Sequence, residues 1–247
     1  MKLSLSEPKY LKDSILVISE LVNTANLKIS KDKIELIAMD PANVAMIIFK
    51  LLSSAFSEYS VNEEKVIGVN LASLTQILKR VKPTDSLTLQ LDETRNRLNV
   101  ILNGMTTKKF ELALLDIEER EQKIPNLKFS AKVESNTLLF NEAIEDMDII
   151  ADSLSLMAGA EKFVVSSEGN VSSGKVEISN DEETLITAPN TVSAKYSVEY
   201  MKKIVKGSKL SNNVILEFAQ DYPLRVEYRV IDKLSLTFIL APRMPTD

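Results

Sequence analysis

Two stretches repeat one alternation of apolar and polar residues, Ser86-Leu87-Thr88-Leu89-Gln90-Leu91 and Asn213-Val214-Ile215-Leu216-Glu217-Phe218. Both predict strands, because successive side chains of a strand point to opposite faces. The stretches lie 127 positions apart, and Ile77-Leu78-Lys79 matches Ile204-Val205-Lys206 at that same offset. A fixed offset that links several segments indicates an internal repeat.

The repeat continues toward the C-terminal side with one deletion. Leu98 matches Leu224, and Leu112 matches Phe238, at an offset of 126. Each half then runs helix, strands, helix, strands, which predicts the α+β class with two similar domains. The alternative is that two amphipathic helix–strand pairs resemble each other by chance.

Helical spacing of apolar residues predicts four helices, at 8–24, 71–81, 137–151 and 197–209. The apolar stripe of the third helix is predicted to comprise Leu139, Ala143, Met147 and Ile150. Alternating or continuously apolar runs predict strands at 26–30, 33–39, 44–51, 86–91, 98–102, 108–115, 162–167, 175–179, 214–218, 224–230 and 234–240.

Residues 116–126, Asp-Ile-Glu-Glu-Arg-Glu-Gln-Lys-Ile-Pro-Asn, interrupt these patterns with a run of acidic residues that ends at a proline. They predict an exposed connector, although a short surface helix between strands is an alternative. The domain boundaries follow from it. We expect an N-terminal domain at 1–115, a connecting loop at 116–127 and a C-terminal domain at 128–247.

The composition excludes several kinds of chemistry. The 247 residues include 30 Lys+Arg and 35 Asp+Glu, for a net charge of −5, and there is no His, Cys or Trp. A Ser–His–Asp triad, a thiol nucleophile and a zinc–thiolate site are therefore excluded. Only 6 Gly are present, without a phosphate-binding loop motif. We expect no enzyme activity, no cofactor and no metal. With no signal peptide or apolar span, we expect a cytoplasmic protein.

Basic residues cluster on two helices that are equivalent in the repeat. Residues 71–82 carry Lys79, Arg80 and Lys82 without an acid, and residues 197–209 carry four lysines against Glu199. Either cluster alone is typical of a solvated helix face. Because both lie at matching places of a repeat, they predict contact with the phosphates of a duplex, independent of base sequence.

Several separate motifs, in order along almost the whole chain, resemble the proliferating cell nuclear antigen family of sliding clamps in its archaeal form. They are Leu36–Val44, Gly68–Leu71, Ile77–Arg80, Tyr222–Tyr228 and Leu240–Arg243. The resemblance implies a DNA clamp fold in which three subunits close a ring around duplex DNA, with helices lining the hole and sheets outside. It implies a processivity factor without catalytic activity, built from three identical subunits or from paralogues.

The resemblance also implies partners and their sites. The ring would tether DNA polymerase, clamp loader, flap endonuclease and DNA ligase through short peptide motifs. The expected DNA-contacting residues are Lys9, Lys12, Lys79, Arg80, Lys202, Lys203, Lys206 and Lys209. The expected pocket for partner peptides comprises Met39, Asn43, Val44, Ile124, Pro125, Pro223, Ile239, Leu240, Ala241 and Pro242. The expected subunit interface comprises Lys108, Phe110 and Leu112 on one strand and Lys175, Val176 and Ile178 on another.

One segment departs from that expectation. Residues 137–151 contain Glu142, Glu145, Asp146 and Asp148 and no Lys or Arg, although they would line the hole. This acidic segment favours a second hypothesis, a non-replicative protein-binding scaffold with the same duplicated fold. The paired basic clusters favour the sliding clamp.

Overall fold

The computed structural model describes residues 1–118 and 122–244. The strands are β1 (Lys2–Leu5), β2 (Thr24–Ile29), β3 (Lys33–Met39), β4 (Ala45–Leu52), β5 (Glu58–Ser60), β6 (Lys65–Asn70), β7 (Ser86–Asp92), β8 (Arg97–Asn103), β9 (Thr107–Ala113), β10 (Ala131–Asn136), β11 (Ser153–Ala158), β12 (Lys162–Glu168), β13 (Ser173–Ser179), β14 (Leu185–Thr187), β15 (Val192–Ser197), β16 (Asn213–Phe218), β17 (Leu224–Val230) and β18 (Leu234–Leu240). The helices are α1 (Lys9–Ile18), α2 (Leu71–Leu78), α3 (Thr137–Asp148) and α4 (Val198–Ile204), with short 3₁₀ helices at Ser53–Ala55 and Val205–Lys209.

The chain forms two compact units. The first comprises Met1–Pro41, Ile47–Gln122 and Val230–Leu236, and the second comprises Ala42–Met46, Lys123–Arg229 and Thr237–Asp247. In the first unit, one antiparallel sheet has the order β5-β1-β7-β8-β9, and β4-β3-β2-β6 are neighbours in another. Helices α1 and α2 pack against each other, and α2 also packs against β2, β6 and β9.

The second unit repeats this plan. Its strands follow the orders β14-β10-β16-β17-β18 and β13-β12-β11-β15. Helix α3 packs on α4, on the 3₁₀ helix that follows α4, and on β12. The mixed helix and sheet class with two similar units is therefore confirmed.

Strand pairing reproduces the offsets found in the sequence. Leu89 of β7 lies opposite Val100 of β8, and Leu216 of β16 lies opposite Val226 of β17. The first residues of these pairs are 127 positions apart and the second are 126 apart. A one-residue shift would turn every side chain of a strand to the other face. The deletion therefore falls between the two strands of the hairpin, in agreement with an internal repeat.

The helices form where the apolar spacing predicts, but they are shorter. Helix α1 ends at Ile18 instead of residue 24, and its stripe of Leu11, Ile15 and Ile18 is buried. Helix α2 begins after Asn70, whose Oδ1 accepts a hydrogen bond from the Ser73 N–H at 2.8 Å. That side chain satisfies an amide that the helix leaves unpaired, which fixes the start of the helix.

In α3 the predicted stripe is wrong at its first position. Leu139 is 36% exposed, whereas Phe140 is fully buried together with Ala143 and Met147. Phe140 packs in the core near the Phe163 ring, at 6.4 Å between centroids. Either residue is compatible with helical spacing, and the larger ring occupies the core because it buries more apolar area.

The connector begins as irregular chain tied to the first unit. The Leu115 N–H donates to the Gly68 carbonyl at 2.8 Å, and Asn26 Nδ2 donates to the Ile117 carbonyl at 3.3 Å. A Cβ on Gly68 would lie 2.3 Å from the Leu115 oxygen, so this close approach requires glycine. Glu119, Arg120 and Glu121 of the predicted connector lie outside the described residues.

Candidate functional site

The first unit presents a cluster of exposed cations at one end of α1 and α2. Lys9 begins α1, and Lys79 and Arg80 follow α2, all three exposed. Lys12 is half-buried, and its Nζ donates to the Val81 carbonyl at 2.9 Å. Among the described residues, none of the other three has an ion-pair partner.

A cleft of about 400 Å³ lies beside this cluster. Three lysines from two chain segments line it, namely Lys9 and Lys12 of α1 and Lys82 of the turn after α2. The rest of the lining is Glu7, Pro8, Tyr10, Asp13, Val81 and Pro83. Lys82 belongs to the predicted basic cluster of residues 71–82, but it is absent from the individual residues expected to contact DNA. The signal for it is its place in an acid-free basic run.

The second unit pairs its cations with acids. Lys202 Nζ lies 2.6 Å from Asp148 Oδ2 of α3, and Lys203 Nζ lies 2.7 Å from Glu199 Oε1. Lys203 also lies over the Tyr200 ring, 5.3 Å from its centroid. The two remaining predicted residues, Lys206 and Lys209, are exposed. Sequence spacing predicts the Glu199 pair one helical turn away, but not the Asp148 pair, whose partners are 54 positions apart.

Most of the predicted peptide pocket lies on the second unit, with Met39 on the first. The Ala241 N–H donates to the Val44 carbonyl at 2.9 Å, which brings the C-terminal segment against residues 42–46. Asn43 has a positive φ of 57°, a backbone conformation that asparagine tolerates better than β-branched residues. Ile124 is 46% exposed and Pro125 is exposed.

Leu240 differs in burial from its neighbours in the predicted peptide pocket. Its side chain is fully buried, whereas Ile239, Ala241 and Pro242 are partly exposed. Alternation along β18 explains the difference, because adjacent side chains point to opposite faces. Leu240 can therefore shape this surface only from beneath, and Ile239 is the apolar side chain of the strand end that a partner could touch.

A turn that precedes β17 is held by two hydrogen bonds to residues 193–196. The Tyr196 hydroxyl donates to the Tyr222 carbonyl at 2.7 Å, and the Asp221 N–H donates to the Ser193 carbonyl at 3.0 Å. Burial raises the pKa of Tyr196 well above its usual range, so the phenol stays a donor. These bonds hold Pro223, which follows Tyr222 directly.

Sequence reasoning missed an aromatic pair at this turn. The Phe129 and Tyr222 rings meet edge to face, with centroids 6.2 Å apart, and both residues remain partly exposed. Partly exposed aromatic side chains are common anchors for partners. No sequence signal links positions 129 and 222.

The C-terminal segment is anchored beyond Pro242. The Arg243 N–H donates to the Lys195 carbonyl at 2.7 Å, and its guanidinium Nη1 lies 2.9 Å from Asp152 Oδ2. The hydrogen bond from Arg243 lowers the pKa of the Asp152 carboxyl below its ordinary value. These contacts hold residues 241–243 in one position on the second unit.

The two predicted interface strands lie at sheet edges. Strand β9 pairs with β8 alone, and β13 pairs with β12 alone, among the strands in the described ranges. Both show the same alternation of exposed and half-buried residues, with Phe110, Leu112, Val176 and Ile178 half-buried. On β13, hydrogen bonds from Lys162 and Lys175 lower the pKa of Glu177 to about 2.

The described residues hold no group of three or more acidic side chains that could bind a metal ion. No helix of residues 1–118 and 122–244 is long and apolar enough to cross a membrane. The surfaces described above are suited to charge contact and to peptide or strand binding.

Comparisons with known proteins agree with this arrangement. The family model for the N-terminal domain of proliferating cell nuclear antigen matches residues 1–122, and that for its C-terminal domain matches residues 123–243. The DNA polymerase sliding clamp of Nanoarchaeum equitans is 33% identical over 247 residues, covering 98% of this chain and 99% of that protein. The DNA polymerase sliding clamp of Pyrococcus horikoshii is 36% identical over 228 residues, covering 92% of this chain and 91% of that protein.

A solved structure matches over the same extent. The crystal structure of PCNA from Thermococcus kodakaraensis has a TM-score of 0.92 at 27% sequence identity, covering 98% of this chain and 99% of that chain.

Proposed function

The chain belongs to the proliferating cell nuclear antigen family of DNA sliding clamps, and we propose that its subunits close a ring of three around duplex DNA. The observation that carries this proposal is the match to PCNA along the whole chain, at a TM-score of 0.92. The exposed cations on α1 and α2 support it, because they offer contacts to phosphates that do not depend on base sequence. The family function favours the clamp over a non-replicative scaffold.

In this proposal the domains are an N-terminal clamp domain at 1–115, a connecting loop at 116–127 and a C-terminal clamp domain at 128–247. The ring has no catalytic activity of its own and acts as a processivity factor in the cytoplasm. DNA and DNA polymerase are its principal partners. Clamp loader, flap endonuclease and DNA ligase are further proposed clients.

Assembly of the ring is proposed to use the two edge strands. Each offers unpaired backbone N–H and C=O groups, which favour pairing with another strand. Because β9 and β13 are different strands, one protomer's β9 can pair with its partner's β13. Such a head-to-tail contact closes into a ring when its rotation allows. The half-buried Phe110, Leu112, Val176 and Ile178 would then be covered.

Client proteins are proposed to bind the second unit where its C-terminal segment meets residues 42–46. The apolar groups that support this are the exposed Ile124 and Pro125 and the partly exposed Pro223, Ile239 and Pro242. A short peptide that inserts apolar anchors here would concentrate its binding energy in a few contacts. The acidic connector residues would attract basic peptide tails and raise the association rate.

Retention on DNA tests the ring directly. The purified chain, loaded onto nicked circular duplex by its clamp loader, should stay bound through gel filtration and leave when the circle is linearised. Native mass spectrometry of the purified chain alone should give three subunits. A protein that binds circular and linear DNA equally, or neither, would contradict encirclement and favour the scaffold.

Calorimetry with a client peptide tests the pocket. Ile239→Ala and Ile124→Ala should each weaken binding by about tenfold, the effect of losing about 1.4 kcal/mol at an apolar anchor. Ile231→Ala is the matched control, because Ile231 is 76% exposed and lies outside the pocket. Leu240→Ala is not suitable, since truncating a fully buried leucine costs roughly 2–5 kcal/mol of folding stability. Wild-type affinity in both pocket variants would refute the assignment.

A further inference from the structure

The helix segments proposed to line the hole differ in charge between the two units. In the first unit, residues 8–24 and 71–82 carry five basic and two acidic residues, a net of +3. In the second unit, residues 137–151 and 197–209 carry four basic and five acidic residues, a net of −1. Attraction of a DNA backbone is therefore expected from one unit and not from the other.

The geometry reinforces this difference. In the first unit, Lys9, Lys12 and Lys82 line one cleft together with two acids, Glu7 and Asp13, so that lysines outnumber acids there. Lys79 and Arg80 are exposed just after α2. Except for Lys12, which donates to a carbonyl, none of these basic side chains has a partner within the described part of the chain. A phosphate could approach Lys9, Lys79, Arg80 and Lys82 without first displacing a protein group.

In the second unit two of the four lysines are themselves paired with acids. Lys202 is held by Asp148 at 2.6 Å, and Lys203 by Glu199 at 2.7 Å. A phosphate that binds Lys202 must share the ammonium with the Asp148 carboxylate, or displace it, and lie close to that negative charge. Glu142, Glu145 and Asp146 are exposed on the same α3 helix and repel it further.

Resting on the clamp function proposed above, we infer that duplex DNA is contacted through the first unit of each subunit. The phosphate site is the cleft of Lys9, Lys12 and Lys82, with Lys79 and Arg80 beside it, and Lys82 is a DNA-contacting residue. The second unit presents a surface of net charge −1, on which acids outnumber the lysines, the exposed Lys206 and Lys209 included, and Asp148 competes with DNA for Lys202. A ring of three would carry three attractive patches and three that hold DNA weakly.

The first test is the salt dependence of binding to a short duplex, measured by fluorescence anisotropy with the intact ring. Lys9→Gln combined with Lys82→Gln should weaken binding at low salt by about threefold or more. It should also lower the slope of log K against log salt by about 0.9 for each phosphate that the variant no longer neutralises. Lys202→Gln removes the same type of charge from the second unit and should change neither quantity.

The second test uses a double-mutant cycle to isolate the ion pair. Asp148→Asn should tighten DNA binding and make the ring sensitive to Lys202→Gln, by about twofold or more. Glu145→Gln is the matched control, since it removes one negative charge from the same helix. In the Glu145→Gln background, Lys202→Gln should still have no effect.

The outcomes separate the inference from the proposed function. If Lys202→Gln weakens wild-type binding as much as the first-unit variant does, the second unit contacts DNA and the inference is overturned, while the clamp stands. Equal sensitivity to Lys202→Gln in the Asp148→Asn and Glu145→Gln backgrounds overturns the role of the ion pair. A wild-type ring that neither binds duplex nor stays on circular DNA overturns the proposed function and this inference with it.

Discussion

The two units follow one strand plan but end their equivalent helices differently. Arg80 is exposed after α2, whereas the matching position after α4 is Gly207, which is buried. Leu87 lies opposite Leu102 in the first unit, and Val214 lies opposite Tyr228 in the second, so Tyr228 replaces Leu102. A Cβ on Gly207 would lie 2.4 Å from the Tyr228 ring, which leaves no room for a side chain.

This exchange shows how a core residue decides the charge on a surface. The large ring of Tyr228 requires a glycine at position 207, at the end of the helix that packs on it. The second unit therefore has no cation at the position where the first unit has Arg80. Core packing constrains both units to the same strand register. Exposed helix faces carry no such constraint, so their charges diverge.

The largest expected effect is on assembly of the ring, through the edge strands. The two units differ in the predicted interface strand that they leave at a sheet edge, which is β9 in the first unit and β13 in the second. Backbone N–H groups along β13 point alternately toward β12 and away from it. Lys175→Pro and Val176→Pro therefore remove donors on opposite sides of β13. The variant that removes the N–H pointing away from β12 should keep the circular dichroism spectrum of the folded protein. In gel filtration it should elute as a monomer. Three-subunit rings from both variants in gel filtration would place the interface elsewhere.

A smaller effect is expected from filling the space above Tyr228. Gly207→Val should lower the free energy of unfolding by about 3 kcal/mol, because overpacking forces the ring or the backbone to move. Arg80→Val, the equivalent change in the first unit, should stay within about 0.5 kcal/mol of wild type. Urea denaturation at one fixed protein concentration compares them. Equal decreases in the free energy of unfolding for both variants would contradict the conclusion that the Tyr228 ring fills the space of a side chain at position 207.

Removing the hydroxyl of either buried tyrosine of the second unit should change the free energy of unfolding by a still smaller amount, with opposite signs for the two residues. The Tyr228 hydroxyl is buried without a hydrogen-bond partner among the described residues, and burial raises its pKa far above the usual range. Tyr228→Phe should therefore raise the free energy of unfolding by about 1 kcal/mol. Tyr196→Phe should lower it by about 1 kcal/mol, because it removes the hydrogen bond to the Tyr222 carbonyl. Thermal unfolding that shifts both variants in one direction would refute this interpretation.

The smallest effect concerns the charge on β13. The pKa of Glu177 is lowered from 4.5 to about 2 by hydrogen bonds from Lys162 and Lys175. Since the folded-state pKa is depressed, the stabilisation is fully present above about pH 4.5 and is lost as pH falls toward 2. An NMR titration should show the Glu177 midpoint near 2, and Lys162→Gln should raise it. An ordinary midpoint in the wild-type protein would show that the ion pairs do not persist in solution.

Much of the fold could be predicted because buried residues recur at regular intervals along strands and helices. Alternation predicts β7, β8, β16 and β17, and these strands bury the side chains that the alternation assigns to the inner face, except for the half-buried Leu91 at the end of β7. It does not predict strands β1, β5, β6, β10, β11, β14 and β15. Some of them are only three or four residues long, and a few residues carry too little pattern to distinguish a strand from a loop.

The candidate sites were less predictable than the fold. Sequence placed Lys79 and Arg80 on an exposed helix end, and both are exposed. It could not show that Leu240 is buried or that Phe140 replaces Leu139 in the core. Local spacing leaves such choices open, because neighbouring apolar residues compete for one space and only the packing partners select between them.

The sequence by itself determined the repeat, the class of fold, the register offset and the family, because these depend on the order and period of apolar residues. Tertiary structure alone decided which cations meet groups that are distant in the sequence. Asp148 neutralises Lys202 from 54 positions away, while Lys82 joins Lys9 in one cleft from a distant segment. A charge acts on whatever lies within a few ångströms of it, and only the folded chain brings those neighbours together.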